Sequence, residues 1–206
     1  MEYRESVFVG YRYYDSAKKP VRYPFGRLVG IPSFAYSNLR LSATALQRGE
    51  TLSVTLDVSN TGARAGAVVQ LYLAHRSDVM SCLNKTRGLK KYSCSRAGTR
   101  NPSPLRSRRD LCFYDVTAGD WRVEGGAYEL RLSASSRDLR LTAQIEAEPD
   151  ADAHAPDHRT DAPCYYDLSG GIDVPDDAFT AVLGRPIPPR ERQEGEGTTL
   201  NATLQR

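Results

Sequence analysis

The stretch Thr51-Leu-Ser-Val-Thr-Leu-Asp-Val-Ser59 decides the fold. Leu52, Val54, Leu56 and Val58 lie on one side of it, and Ser53, Thr55, Asp57 and Ser59 on the other. A period of two with β-branched residues predicts a half-buried strand. Asn60-Thr-Gly62 then supplies a turn, because Asn and Gly accept positive φ. Val68 to Leu73 is a denser apolar strand suited to burial. Further along, Tyr128, Leu130 and Leu132 alternate with Glu129, Arg131 and Ser133. Leu139, Leu141, Ala143 and Ile145 alternate with Arg140, Thr142 and Gln144. Short alternating strands between turn residues, without long helical periodicity, predict a mainly β chain folded as a β-sandwich.

The 206 residues suffice for one domain of ordinary size with flanks. We divide them into a leader, 1–33, the sandwich, 34–147, and a linker with a C-terminal extension, 148–206. Glu146 to Asp161 is rich in Asp, Ala, Pro and His and has no periodicity, so it reads as an unpacked linker. Pro175 to Leu183 reads as a short helix in an otherwise irregular tail. Pro175 stands at or just before its start, Asp176 and Asp177 in its first turn, and Gly184 closes it. Phe179, Val182 and Leu183 share one face.

Longer motifs carry a resemblance. Val7-Phe-Val-Gly-Tyr-Arg-Tyr-Tyr-Asp15, Pro24-Phe-Gly26, the runs at 58–73 and 108–141, and Asp176 to Pro189 follow one another in a fixed order. Together they resemble the later part of glycoside hydrolase family 3 enzymes, the β-glucosidases and their relatives. The resemblance implies that the sandwich is fibronectin type III-like and that the leader is an incomplete remnant of the preceding α/β domain. It also implies that the tail is a bacterial C-terminal extension. Only six residues precede Val7, so the expectation is the C-terminal portion of a larger glycosidase.

Two segments depart from the family pattern. Residues 27–33, Arg-Leu-Val-Gly-Ile-Pro-Ser, stand where the family has His-Gly-Leu-Ser-Tyr-Thr. Residues 75–107 are aberrant where the family has alternating strands, and Asn101-Pro-Ser-Pro-Leu-Arg-Ser107 is excluded as a central strand because each proline removes a ladder donor. A shifted reading frame is the hypothesis for both: His-Gly-Leu-Ser codons CAC-GGC-TTG-TCG followed by G, read from the third base, become CGG-CTT-GTC-GG, which is Arg-Leu-Val-Gly, the sequence at 27–30. Arginine outnumbers lysine 23 to 5, which fits a GC-rich gene. A sandwich damaged at 75–107 is expected to leave strand edges unpaired. The segment also sets the charge. Residues 79–109 hold nine basic residues and no acid, while the rest carries 19 basic against 25 acidic residues.

Family 3 enzymes use a nucleophilic Asp from the first domain and an acid/base, usually a Glu, from the second, with a covalent glycosyl-enzyme and net retention. Neither motif is present, so no catalytic residue is assigned, and the chain is expected to be inactive by itself. Asp15, Asp115 and Asp120 occur in family motifs but read as structural or turn positions. Trp121 offers a face for a sugar, although packing at the sandwich edge or against a neighbouring domain fits better. Tyr11, Tyr13 and Tyr14 alternate in part, so some of them are expected to face the preceding domain of the larger enzyme and, where exposed, to form an interface patch.

No cofactor or metal is implied. His154 and His158 are spaced i, i+4 among Asp150, Asp152, Asp157 and Asp161, but Pro156 opposes the helix that the spacing needs. Cys82, Cys94, Cys112 and Cys164 have no CxxC spacing. The basic run 85–109 lacks the interleaved aromatics of a nucleic-acid binder, so no nucleic-acid partner is expected. Asn84-Lys-Thr86 and Asn201-Ala-Thr203 match the glycosylation pattern, which is too common to decide anything. No apolar run approaches membrane-spanning length, and Met1-Glu-Tyr-Arg does not begin a signal peptide. The reading is therefore an accessory, C-terminal part of a β-glucosidase-like hydrolase, with the catalytic domains as its partner. The alternative is a standalone sandwich that binds carbohydrate or protein.

Overall fold

The computed structural model describes residues 2–27, 34–47, 50–62, 67–75, 85–92, 99–105, 111–153 and 156–188. Its elements are helix α1 (Tyr11–Ser16), then strands β1 (Phe34–Leu41), β2 (Ala45–Leu46), β3 (Leu52–Asn60), β4 (Ala67–His75) and β5 (Lys85–Tyr92). There follow β6 (Thr99–Leu105), β7 (Phe113–Asp115), β8 (Asp120–Arg122), β9 (Gly126–Ser135) and β10 (Asp138–Ala147). A 3₁₀ turn (Pro163–Tyr165) and helix α2 (Asp176–Leu183) end the series. One sheet has the order β1-β3-β6 and the other β2-β10-β9-β4-β5, while β7 and β8 form a separate hairpin. The chain is a β-sandwich.

The alternation in β3 does what its period requires. Leu52, Val54, Leu56 and Val58 are all fully buried, and they share one core with Val69, Leu71, Leu73, Tyr128, Leu130, Leu132 and Ile145. Each such side chain contributes about 1.5–3 kcal/mol by leaving water. The turn after β3 works differently from expectation. Asn60 is not in a positive-φ conformation; instead its side-chain Oδ1 accepts a hydrogen bond from the Gly62 N–H at 2.9 Å. In β10 only the end at Ile145 is fully buried. The register shifts around Leu139, which is left exposed.

Strand β4 is buried on both faces. Val69, Leu71 and Leu73 enter the sandwich core, while Gln70 and Tyr72, each 1% exposed, lie on the opposite face with Ser133 of β9. The leader covers that face, as described below.

The expectation of unpaired edges at 75–107 is overturned. The backbone of 85–92 pairs with β4 from Ala67↔Tyr92 to Leu73↔Lys85, and that of 99–105 pairs with β3 from Leu52↔Leu105 to Val58↔Thr99. Ladder hydrogen bonds join main-chain groups and do not need the family's side chains. Pro102 and Pro104 sit in β6, at the edge of its sheet. Prolines two residues apart lack donors on the same side of a strand, and an edge strand has one side that needs none. The departure at 27–33 lies outside the described residues from 28 onward.

The start of the expected linker, residues 146–150, is packed, whereas most described residues from 151 to 161 are exposed. Glu146 and Ala147 complete β10, and the Glu148 N–H donates to Leu46 O at 3.1 Å. Asp150 is buried: its Oδ2 accepts from the Val123 N–H at 3.0 Å, and its own N–H donates to Val123 O at 3.1 Å. A carboxylate that satisfies a backbone donor leaves no hydrophobic period to read.

Helix α2 follows its sequence signals. Pro175 is the N-cap residue, Asp176 and Asp177 occupy the first turn, and Gly184 closes the helix at φ 69°. Ala178 and Phe179 are buried, with Val182 and Leu183 half-buried. They belong to a second core, built from Phe8, Ala162, Tyr165, Leu168, Val174, Ala178 and Phe179.

Leu56→Ala, at the centre of β3, should destabilise the chain by about 2–5 kcal/mol through lost burial and the cavity left behind. Urea unfolding should show a lower midpoint with an unchanged slope.

Candidate functional site at the junction of leader and sandwich

The leader meets the sandwich through polar contacts at fixed positions. Arg137, in the turn between β9 and β10, donates from Nε to Asp15 Oδ1 at 2.6 Å. Its Nη2 donates to the carbonyls of Tyr14 at 3.1 Å and Lys19 at 2.7 Å. One guanidinium thus pairs with a buried carboxylate and caps the carbonyl end of α1. The Asp15 side chain is 4% exposed, and its Oδ2 has no hydrogen-bond partner among the described residues. Asp15 is therefore anchored by a structural pair.

A second set of contacts lies on the outer face of β4. Gln70 Nε2 donates to Gly26 O at 3.2 Å and to Ala134 O at 3.4 Å, and the Tyr72 hydroxyl donates to Gln70 Oε1. The Ser136 N–H donates to Phe25 O at 2.9 Å. Gly26 sits at φ 79°, and a Cβ there would overlap the Gln70 amide, so both its conformation and its surroundings require glycine. Tyr11 stacks on Phe25 with centroids 4.6 Å apart and meets Tyr72 edge-on at 6.2 Å. The three tyrosines of α1 divide between packing and exposure. Tyr11 packs against the sandwich side and Tyr13 against the second core, whereas Tyr14 is exposed, along with Val9, Tyr23 and Phe25.

The β7–β8 hairpin carries the other two aspartates. Asp115 is 1% exposed, and its Oδ1 accepts from the N–H groups of Thr117 at 2.9 Å and Ala118 at 3.0 Å, which makes the turn. Asp120 Oδ2 accepts from Arg122 at 2.7 Å, and Asp152 accepts from the same guanidinium at 2.9 Å. These bonds, to Asp120 and then Asp152, hold Arg122 further above its ordinary pKa. Across the hairpin Tyr114 pairs with Trp121, both more than half exposed, and Val116 is exposed beside them. The two rings meet edge to face, 5.7 Å apart at 77°, so they do not form one flat platform for a sugar ring.

The acidic segment divides in a different way. Asp157 is held down to about 2 by hydrogen bonds from Arg159. His158 Nδ1 lies 3.1 Å from Asp161 Oδ1, Asp150 and Asp152 are engaged as described above, and His154 lies outside the described residues. Among the described residues no group of three or more His, Cys, Asp or Glu side chains is placed to hold a metal ion. Cys112 is buried in the sandwich core, and burial pushes the half-buried Cys164 thiol up. Cys82, Cys94, both glycosylation patterns and the side chains of the basic run from Lys85 to Arg106 lie outside the described residues, as do Arg108 and Arg109. No described helix is long and apolar enough to cross a membrane.

No family model matches the chain. A β-glucosidase of Rhizobium radiobacter is 35% identical over 152 residues, which are 73% of this chain and 18% of that enzyme. Probable β-glucosidase K of Emericella nidulans is 34% identical over 148 residues, 70% of this chain and 17% of its own. Among solved structures, the β-glucosidase of family 3 from Bifidobacterium adolescentis superposes with a TM-score of 0.65 at 26% identity, covering 87% of this chain and 25% of that one. The chain is homologous to part of the glycoside hydrolase family 3 β-glucosidases. β-Glucosidase 3B of Thermotoga neapolitana, bound to α-D-glucose, has a TM-score of 0.61 at 33% identity over 72% of this chain and 20% of its own. The chain thus spans about a fifth of the length of these family 3 relatives.

Asp15, Gly26, Gln70 and Arg137 each lie in a motif that resembles the family, and the fold brings all four to one junction. Sequence reasoning named Asp15 as structural but missed Gly26, Gln70 and Arg137 as its co-workers. Gln70 did carry a signal, as a lone amide inside the apolar run Val68-Val-Gln-Leu-Tyr-Leu73.

Arg137→Met should leave Asp15 buried without its cation. We expect a loss on the order of 2 kcal/mol, below that of a fully buried pair because water reaches Arg137. In a thermal-melt double-mutant cycle, Asp15→Asn combined with Arg137→Met should lose less than the sum of the single variants.

Proposed function

We propose that the chain serves as the accessory, C-terminal part of a family 3 glycosidase, its fibronectin type III-like sandwich steadying catalytic domains that carry out the hydrolysis. The observation that carries this is the homology itself, which spans some 70% of this chain but less than a fifth of the first relatives. The motif aspartates support it. Asp15, Asp115 and Asp120 are taken up by Arg137, by a turn and by Arg122, respectively. A retaining glycosidase needs two carboxyl groups flanking the bond, about 5–5.5 Å apart and free to reach the sugar. These three hold structure instead.

The docking surfaces we propose are two: the exposed Val9, Tyr14, Tyr23 and Phe25 of the leader, and Tyr114, Val116 and Trp121 of the hairpin. Large apolar side chains left in water are the usual mark of a surface that another body covers. The substrate class is taken as β-glucosides. A further relative, an exo-α-(1→6)-L-arabinopyranosidase of Bifidobacterium longum at 30% identity, makes the sugar itself a separate question.

The chain alone should not release p-nitrophenol from p-nitrophenyl β-D-glucoside. Mixed with the Rhizobium radiobacter enzyme lacking its homologous segment, it should co-elute on gel filtration and restore turnover. Trp121→Ala should weaken that association by about tenfold, the usual scale for a buried aromatic anchor. Turnover by the chain alone would overturn the proposal, as would failure to associate.

A further inference from the structure

Among the described residues the two hydrophobic cores share no member. The sandwich core is drawn from residues within 34–147. The second core is drawn from the leader, with Phe8 buried and Val7, Tyr13 and Ala17 packed against it, and from residues 162–187. Polar contacts also join the leader to the tail, beside those that Arg137 and Gln70 make to it from the sandwich. Tyr165, whose hydroxyl burial pushes up to about 12, donates to Arg4 O at 2.7 Å. Arg4 Nη1 donates to Val174 O at 3.1 Å and lies 2.6 Å from Asp176 Oδ1, while its guanidinium sits over the Phe179 ring at 5.3 Å. Lys19 Nζ reaches Ser169 O at 3.4 Å.

We propose that residues 156–188 are a clamp whose partner is the chain's own leader, the two forming one cooperative unit that opens independently of the sandwich. A six-residue helix such as α1 cannot persist by itself. Arg137 holds one end of it, but the apolar side chains that bury Phe8 come from the tail. Segments that share a core open together, and segments with separate cores open separately. In this arrangement the extension covers the apolar side of the leader, while Arg137 and Gln70 of the sandwich fix its polar side.

Hydrogen exchange on the full chain tests this with two variants. Phe179→Ala removes a ring from the centre of the second core. The amides of Phe8, Tyr13 and Ala17 in the leader should then exchange about tenfold faster or more, together with that of Gly184 in the tail, while those of β3 and β9 stay within about twofold. Arg4→Met keeps the side-chain stem but removes the bonds to Val174 and Asp176. It should accelerate the same leader and tail amides by a smaller factor, about threefold, and decides the matter if Phe179→Ala fails to fold. Leader amides unchanged in both variants would show that the sandwich alone holds the leader. Leader and sandwich amides accelerating by the same factor would show a single unit. Either result overturns the clamp.

Discussion

The contact between Arg137 and Asp15 organises the N-terminal part of the chain. Helix α1 has six residues, far below the length at which a helix supports itself in water. Arg137 gives it an ion pair at Asp15 and a cap at Tyr14 and Lys19, so the helix ends where the β9–β10 turn begins. Once α1 is fixed, Tyr11 is held near Tyr72, and Phe25 and Gly26 follow onto Ser136 and Gln70. The burial of the outer face of β4 depends on that sequence of contacts. A charge pair whose acid is nearly dry and whose base is partly wet is weak as a source of stability and strong as a specifier of position.

Two modes of assembly therefore coexist in one chain. The sandwich is held by the burial of leucine, valine and isoleucine between sheets, a force without direction. The junction is held by amide, hydroxyl and guanidinium groups, which fix angle and register. Leader and tail meet by a third route, with Phe8 and Phe179 supplying area and Arg4 supplying orientation through its stacked guanidinium.

Most of the sandwich was legible because its strands obey a period of two. Leu52 to Val58 and Tyr128 to Leu132 bury the side that the pattern marks. Helix α2 was legible from its caps. Residues 75–107 misled because hydrophobic pattern reports side-chain burial, whereas β5 and β6 are placed by backbone ladders. The acidic segment misled because Asp150 acts through one carboxylate oxygen on the Val123 amide, an interaction without periodicity. Long-range partners such as Arg137 and Asp15, 122 residues apart, leave no local trace; only their separate places in family-like motifs hinted that each mattered.

The polar seam on the outer face of β4 has one more consequence. Gln70, Tyr72 and Ser133 lie where many sandwiches expose charge to solvent, and here they are dry because the leader lies over them. Hydrogen bonds to amides and hydroxyls can be exchanged for bonds to water at little net change, whereas a stripe of leucines cannot be wetted so cheaply. Lifting the leader would uncover a surface that water readily accepts.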